Sequence, residues 1–247
     1  MIGLLKGVVV RSLAEMKRYL PNLLASFSIF LIIFSLIALG FDKFGQAGSE
    51  TFRGTAVGYF VWIVTMSSLT NLSWTLMMDM QRGIVEQVFL SHFHPLLVYS
   101  VYQLVDALFT FPVIYLMMVL IFKMAGMSVL VHPSFFYFLV LVMLQSAGIG
   151  FALAGLTLRF KRTQAILNLV QFLVLGLLFL NSSGWKGIVI PIAPQFEAMK
   201  VAAEGGLPPI SAFIASTIGT VLYITAGAVV FSIMMRSVLK RGELSTY

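Results

Sequence analysis

Long unbroken stretches of apolar residues, separated by short polar connections, set the reading of this chain. Crossing about 30 Å of hydrocarbon as a helix takes about 20 such residues. Stretches of that length occupy residues 22–41, 54–78, 96–122, 133–158, 163–183 and 207–235, and a formal charge interrupts only the third, at Asp106. Lipid offers the backbone no water to bond with, so segments of this kind must satisfy their own amides as helices. The pattern predicts an all-α polytopic membrane protein, a single domain over 1–247 with six transmembrane helices.

Two further segments carry a different pattern. Ile2, Leu5, Val9, Leu13, Met16 and Leu20 fall on one side of a helix, with Arg11, Glu15 and Arg18 opposite and Pro21 following. This predicts an amphipathic helix over 1–20 that lies in the membrane interface and turns into the bilayer at Pro21. The segment does not read as a cleavable signal peptide, since charges are mixed through it and no small-residue cleavage site follows. Residues 184–209 contain GWKGIVIPIAP, an apolar run too short to cross and broken by Pro191 and Pro194. It is expected to be an external re-entrant region that dips into the bilayer under cover of neighbouring protein.

Composition agrees with this class. Hydrophobic residues make up 60% of the chain and charged residues 10%, against about 25% charged in soluble domains. The net charge of +7 needs no nucleic-acid partner. Most of the sixteen Lys and Arg lie in the N-terminal segment, the 79–95 and 159–162 connections and the C-terminal segment. That excess assigns those segments, and both termini, to the cytoplasm. The expected location is the inner or plasma membrane, multi-pass, among membrane lipids. With no cysteine, disulfides and thiolate metal sites are excluded.

Chemistry is sparse. No phosphate-binding G-x-x-x-x-G-K-[ST], G-x-S-x-G or H-E-x-x-H occurs. His92 and His94 form an H-x-H pair without a nearby third ligand, so no metal is expected. No catalytic residue is expected either. Asp106 reads either as a proton or cation site, or as a carboxyl protonated or bonded to Gln103 or a neighbouring helix. Ser67, Ser68 and Asn71 belong to a hydroxyl-rich second stretch, while Gln164, Asn168 and Gln171 share one face of the fifth. These six either line a translocation path or bond to neighbouring helices. Ala147, Gly148, Gly150, Ala154 and Gly155 suit close helix packing.

The charged connection at 79–95, DMQRGIVEQVFLSHFHP, stands between two apolar stretches. As a helix over 79–90 it places Asp79, Arg82 and Glu86 on one stripe and Met80, Ile84 and Val88 on another. The alternative is a solvated loop.

Here the chain resembles the permease subunits of type-2 ABC exporters. The matching positions are Arg82, Gly83, Glu86, Gln87, Val88, Phe89, Ser91 and Pro95, and the resemblance extends to the N-terminal helix, the six stretches, GLTLRFKRTQAI at 155–166 and the outer region before the last stretch. It departs at Ile84, where the family often has Thr, and at Pro95, which follows Ser91 later than usual. The resemblance implies that 79–95 is a coupling helix docking on a separate cytoplasmic ABC ATPase. Asp79, Arg82, Gly83, Glu86, Gln87, Val88 and Phe89 would make the contact. ATP and Mg would sit on that partner, and this chain would bind no cofactor. A second permease chain, identical or related, would complete the transporter, facing the first and fifth stretches. The expected function is export of an amphipathic or lipid-linked cargo. The alternative is a channel, or an assembly or signalling subunit, that uses no ATP.

Overall fold

The computed structural model describes residues 2–46, 48–160, 163–177 and 186–241. Among them there are helices and no strand: α1 (Ile2–Lys43), α2 (Glu50–Gln81), α3 (Ile84–Leu90), α4 (Pro95–Met124), α5 (Ser134–Phe160), α6 (Gln164–Leu177), α7 (Lys186–Val189), α8 (Ala193–Ala203) and α9 (Ile210–Arg241). The boundaries have local causes. The Ser49 hydroxyl accepts from the Phe52 N–H at 3.1 Å and starts α2. Gly83, at φ +67°, supplies the left-handed residue that ends it. His94 caps α4, with Pro95 in the first turn, where its missing N–H costs nothing.

Among the described residues four helices are long and apolar enough to cross a membrane: Leu20–Lys43, Pro95–Met124, Ser134–Phe160 and Ile210–Lys240. This is the build of a membrane-embedded helical protein. The expected second stretch lies within α2, which has the length, at 32 residues, but not the hydropathy. Its hydroxyls lower that hydropathy, and Thr65, Ser68, Thr70, Ser73 and Thr75 are buried against neighbouring helices. Thr70 donates back to the Met66 carbonyl at 2.9 Å. The expected fifth stretch is described as the fourteen residues of α6; its remainder, 178–183, lies outside the described residues, as do Trp185 and the 161–162 junction.

The expected corner at Pro21 is not found. Residues 2–43 form one helix with Pro21 inside it, so the first 20 residues are not a separate element. The proline deletes one intrahelical bond, and packing on both sides holds the rest. α1 runs antiparallel to α2 along its whole length: Arg11 meets Asp79, the Tyr59 hydroxyl donates to the Phe30 carbonyl at 2.7 Å, and Phe41 lies 4.9 Å from Phe52, ring to ring.

α5 is the centre, packed on α9 and on α2. Glycines let the backbones meet. A Cβ on Gly150 would come 2.7 Å from the Leu69 carbonyl oxygen of α2; one on Gly148 would come 2.8 Å from the backbone of Tyr223 and Ile224. Gly227 abuts the Gly148 carbonyl in the same way. The packing role expected for Gly148, Gly150 and Gly155 is therefore met.

The 184–209 region differs in detail from its expected form. The covered part is α8, further along than the apolar run, and Ile192, Ala193, Pro194, Gln195, Phe196, Ala198, Met199, Ala202 and Ala203 are buried. Ile192 opens it in the left-handed region at φ +70°, costly for a β-branched residue and held by full burial. The Gln195 amide donates to the Gln145 side chain of α5, which satisfies a polar group that burial would otherwise penalise.

Replacing Gly150 by Ala should lower the thermal midpoint in detergent by several degrees, because overpacking against fixed backbone costs about 1–3 kcal/mol. Gly176→Ala, where an added Cβ meets nothing within 4 Å, should leave the midpoint unchanged.

Candidate functional site

Arg82 and Gly83 break the chain between α2 and α3, so 79–90 is two helices rather than one. The Arg82 N–H closes α2 on the Met78 carbonyl at 3.1 Å, and Gly83 N–H bonds Met80 O at 3.2 Å. α3 then sets off in a new direction as a seven-residue helix. Val85 is buried, and Val88 and Phe89 pack beside Leu72 and Leu76 of α2, Tyr99 of α4 and Phe231 and Met235 of α9. Glu86 and Gln87 are exposed, and Leu90 is 84% exposed. The Ser91 hydroxyl donates to the Val88 carbonyl at 2.7 Å and ends the helix. α3 is thus a small knob, stitched down by three apolar side chains, with two polar residues and one leucine facing outward.

The stripe of Asp79, Arg82 and Glu86 does not form. Asp79 belongs to the last turn of α2, and its side chain is fully buried. It therefore cannot offer its charge to another protein. It accepts two hydrogen bonds from Arg11 of α1: Nη2 to Oδ1 at 2.6 Å and Nη1 to Oδ2 at 3.1 Å. Burial alone would lower the affinity of the Arg11 guanidinium for its proton; the hydrogen bond and charge of Asp79, joined by Glu15, outweigh that and raise it. Glu15 accepts from Arg11 Nε at 3.0 Å and from the Tyr102 hydroxyl at 2.7 Å, and stands 3.9 Å from Arg82. The Arg11 guanidinium lies 5.0 Å from the Tyr102 ring centroid. One turn of α1 thereby ties the end of α2 to the start of α4.

Arg11, Glu15 and Tyr102 were not among the expected site residues. A signal for the first two was present: they sit four apart on the polar side of α1, the spacing of a helix pair. Nothing in the linear order points to Asp79 or Tyr102 as their partners.

Beyond this node a groove of about 370 Å³ runs between α1, α2 and α4. Its polar wall comprises Glu15, Asn71, Thr75, Tyr102, Asp106 and Thr110. Asp106 accepts from the Asn71 amide at 2.6 Å and from the Thr110 hydroxyl at 3.5 Å. Its partner is a neighbouring helix, as one of the two expectations had it, while Gln103 instead donates to the Ser68 carbonyl at 3.1 Å.

The six expected path residues lie on α2 and α6. Only Asn71 lines the groove. Ser67 is exposed and bonds back to Val64 O at 3.0 Å, and Ser68 is buried. Gln164 and Asn168 are exposed on α6 and Gln171 is half-buried there. Among the described residues no group of three or more His, Asp or Glu is placed to hold a metal, and His92 and His94 are both exposed.

Neither a protein-family model, nor a characterised protein, nor a solved structure matches this chain.

Arg11→Ala leaves the Asp79 carboxylate buried without its partner and should cost about 3 kcal/mol or more, read as a lowered thermal midpoint. The double substitution Arg11→Met with Asp79→Leu, which removes both charges and fills the space, should recover most of that loss.

Proposed function

We propose that this chain is the membrane-spanning permease subunit of an ATP-driven exporter, working with a separate ATPase. The observation that carries the proposal is α3. A membrane protein with no phosphate-binding loop presents, between two long helices, a short helix with an apolar inner face and an exposed Glu86–Gln87–Leu90 edge. Such a knob suits a groove on another protein: Leu90 is the apolar anchor, and Arg82, Glu86 and Gln87 give polar contacts at its rim. Val88 and Phe89 act on the inward side, joining the knob to the bundle. Asp79 acts through Arg11, transmitting movement of α2 and α3 to α1. ATP and Mg would be held by the partner.

The reading has six crossings, with α2 and α6 added to the four apolar helices, and both ends of the chain and α3 on the cytoplasmic side. α2 has the length to cross, and α1, α4, α5 and α8 pack on it, with Thr65, Ser68, Thr70, Ser73 and Thr75 buried. α6 carries exposed Ile166, Leu169, Phe172 and Leu173, and the candidate crossing part of α1 carries exposed Leu24, Ile29, Ile32, Leu36 and Leu39. These are the faces that the resemblance gives to a second permease chain. The moving parts would be rigid helices shifting about a docked interface, and the cargo an amphipathic or lipid-linked molecule. A channel or assembly subunit without ATP use is the second reading, and the groove beside Asp106 favours it.

The cysteine-free chain allows single cysteines to be read cleanly. In intact cells Gln87→Cys should resist a membrane-impermeant maleimide that labels Glu204→Cys; the opposite result would place α3 outside and end the proposal.

Affinity capture from native membranes should recover an ATPase whose hydrolysis rate changes on reconstitution with the chain. Leu90→Asp with Glu86→Ala should weaken that association about tenfold or more, the loss of about 1.4 kcal/mol or more at a contact anchor, without lowering the thermal midpoint. Cargo movement by the purified chain alone would favour the channel instead.

A further inference from the structure

At the end of the bundle opposite α3, a groove of about 910 Å³ opens between α1, the first turns of α2, and α8. That volume lies in the range of small-molecule sites. Its two ends differ in character. The rim carries Glu50 and Arg53 from the first turn of α2 and Glu204 just past α8. The depth is walled by Ile33 and Ile37 of α1 and by Tyr59 and Trp62 of α2. From Arg53 to Trp62 the rise along α2 is about 13 Å. Ile33 and Ile37 belong to the candidate crossing helix Leu20–Lys43, so the apolar depth sits at bilayer level and the charges at its boundary.

The rim charges are not used up within the protein. Lys200 is paired with Glu197 at 2.7 Å and lies 4.8 Å from the Phe196 ring centroid. Among the described residues Glu50, Arg53 and Glu204 form no ion pair, and all three are exposed. One free cation and two free carboxylates thus face the same opening. Gly54, next to Arg53, leaves the wall there bare: a Cβ would meet only Lys200 Cδ, at 3.8 Å.

We infer that this groove is a binding site for a zwitterionic phospholipid of the phosphatidylethanolamine type. Its phosphate takes Arg53, its ammonium takes Glu50 and Glu204, and an acyl chain runs down to Trp62. Two carboxylates beside one cation disfavour a purely anionic headgroup and match one that carries both signs. The length from Arg53 to Trp62 suits a chain, which a free headgroup does not have. The inference goes beyond the exporter reading and does not rest on it.

The test uses the full chain in anionic phosphatidylglycerol nanodiscs, with Trp74→Phe and Trp185→Phe leaving Trp62 as the single reporter. Phosphatidylethanolamine brominated in mid-chain should quench Trp62 about threefold more effectively than equally brominated phosphatidylglycerol, the preference that partly exposed ion pairs support. Arg53→Gln and the double substitution Glu50→Gln with Glu204→Gln should each reduce that preference, and Gly54→Leu, which fills the space at that wall, should reduce quenching by both lipids. A second reporter, Trp74 alone, should show no preference. Equal quenching of Trp62 by the two lipids, a preference that survives all these substitutions, or the same preference at Trp74 would overturn the inference.

Discussion

The close approach of α5 to both its neighbours is the constraint on which the rest of this bundle depends. Gly150 lets the backbone of α5 touch that of α2 at Leu69, and Gly148 with Gly227 brings α5 against α9. In lipid, apolar side chains gain little by leaving one helix surface for another, so association draws on dispersion and on close backbone contact. The same contacts make α2 possible. A helix so rich in Ser and Thr would be a poor lipid-facing surface, but it lies against α5 with Thr65, Ser68, Thr70, Ser73 and Thr75 buried, and Thr70 donating back to its own helix.

Three polar pairs join neighbouring helices across otherwise apolar contacts. Gln195 of α8 finds Gln145 of α5, Asn71 of α2 finds Asp106 of α4, and Asp79 of α2 finds Arg11 of α1. These pairs add register to an apolar interface that specifies little by itself. The Arg11–Asp79 pair is the most demanding of them, because removing either member leaves the other charge without compensation. It also gives the outer face of α1, otherwise packed lightly, a defined position at the connector end.

Much of this was legible in the order of residues, and the misses have physical causes. The apolar stretches mark where long helices lie, and the Gly-rich run at 148–155 marks where one of them packs closely. Pro21 was expected to make a corner; it does not, because a proline removes only one bond, and Arg11 and Glu15, ten and six residues earlier, hold the helix to α2 and α4. Asp79 was expected to face solvent, since a helix wheel carried through 90 puts it beside Glu86. Gly83 resets that wheel by adopting a left-handed conformation, so residues on its two sides no longer share a face. The covered part of 184–209 was expected at the apolar run ending at Pro194, yet it extends through α8, where Glu197 is exposed, Lys200 is half-buried and the other side is deeply covered. Gln164, Asn168 and Gln171 share a face in the order of residues, and they lie on α6, a helix that packs lightly on α2 within this chain.

The Gly150–Leu69 contact is also where α2 comes nearest to the backbone of its neighbour, the natural pivot for any tilt of that helix. From Leu69, α2 extends about 20 Å to Arg82 and about 28 Å to Glu50, at 1.5 Å per residue. A rigid rod seesawing on that point swings its Arg82 tip one way and its Glu50 tip the other, with the longer arm travelling about 1.4 times as far. The wall of the large groove is that longer arm. A tilt of α2 as a rigid rod would therefore change the width of the groove and the resting place of the small helix at the far end together.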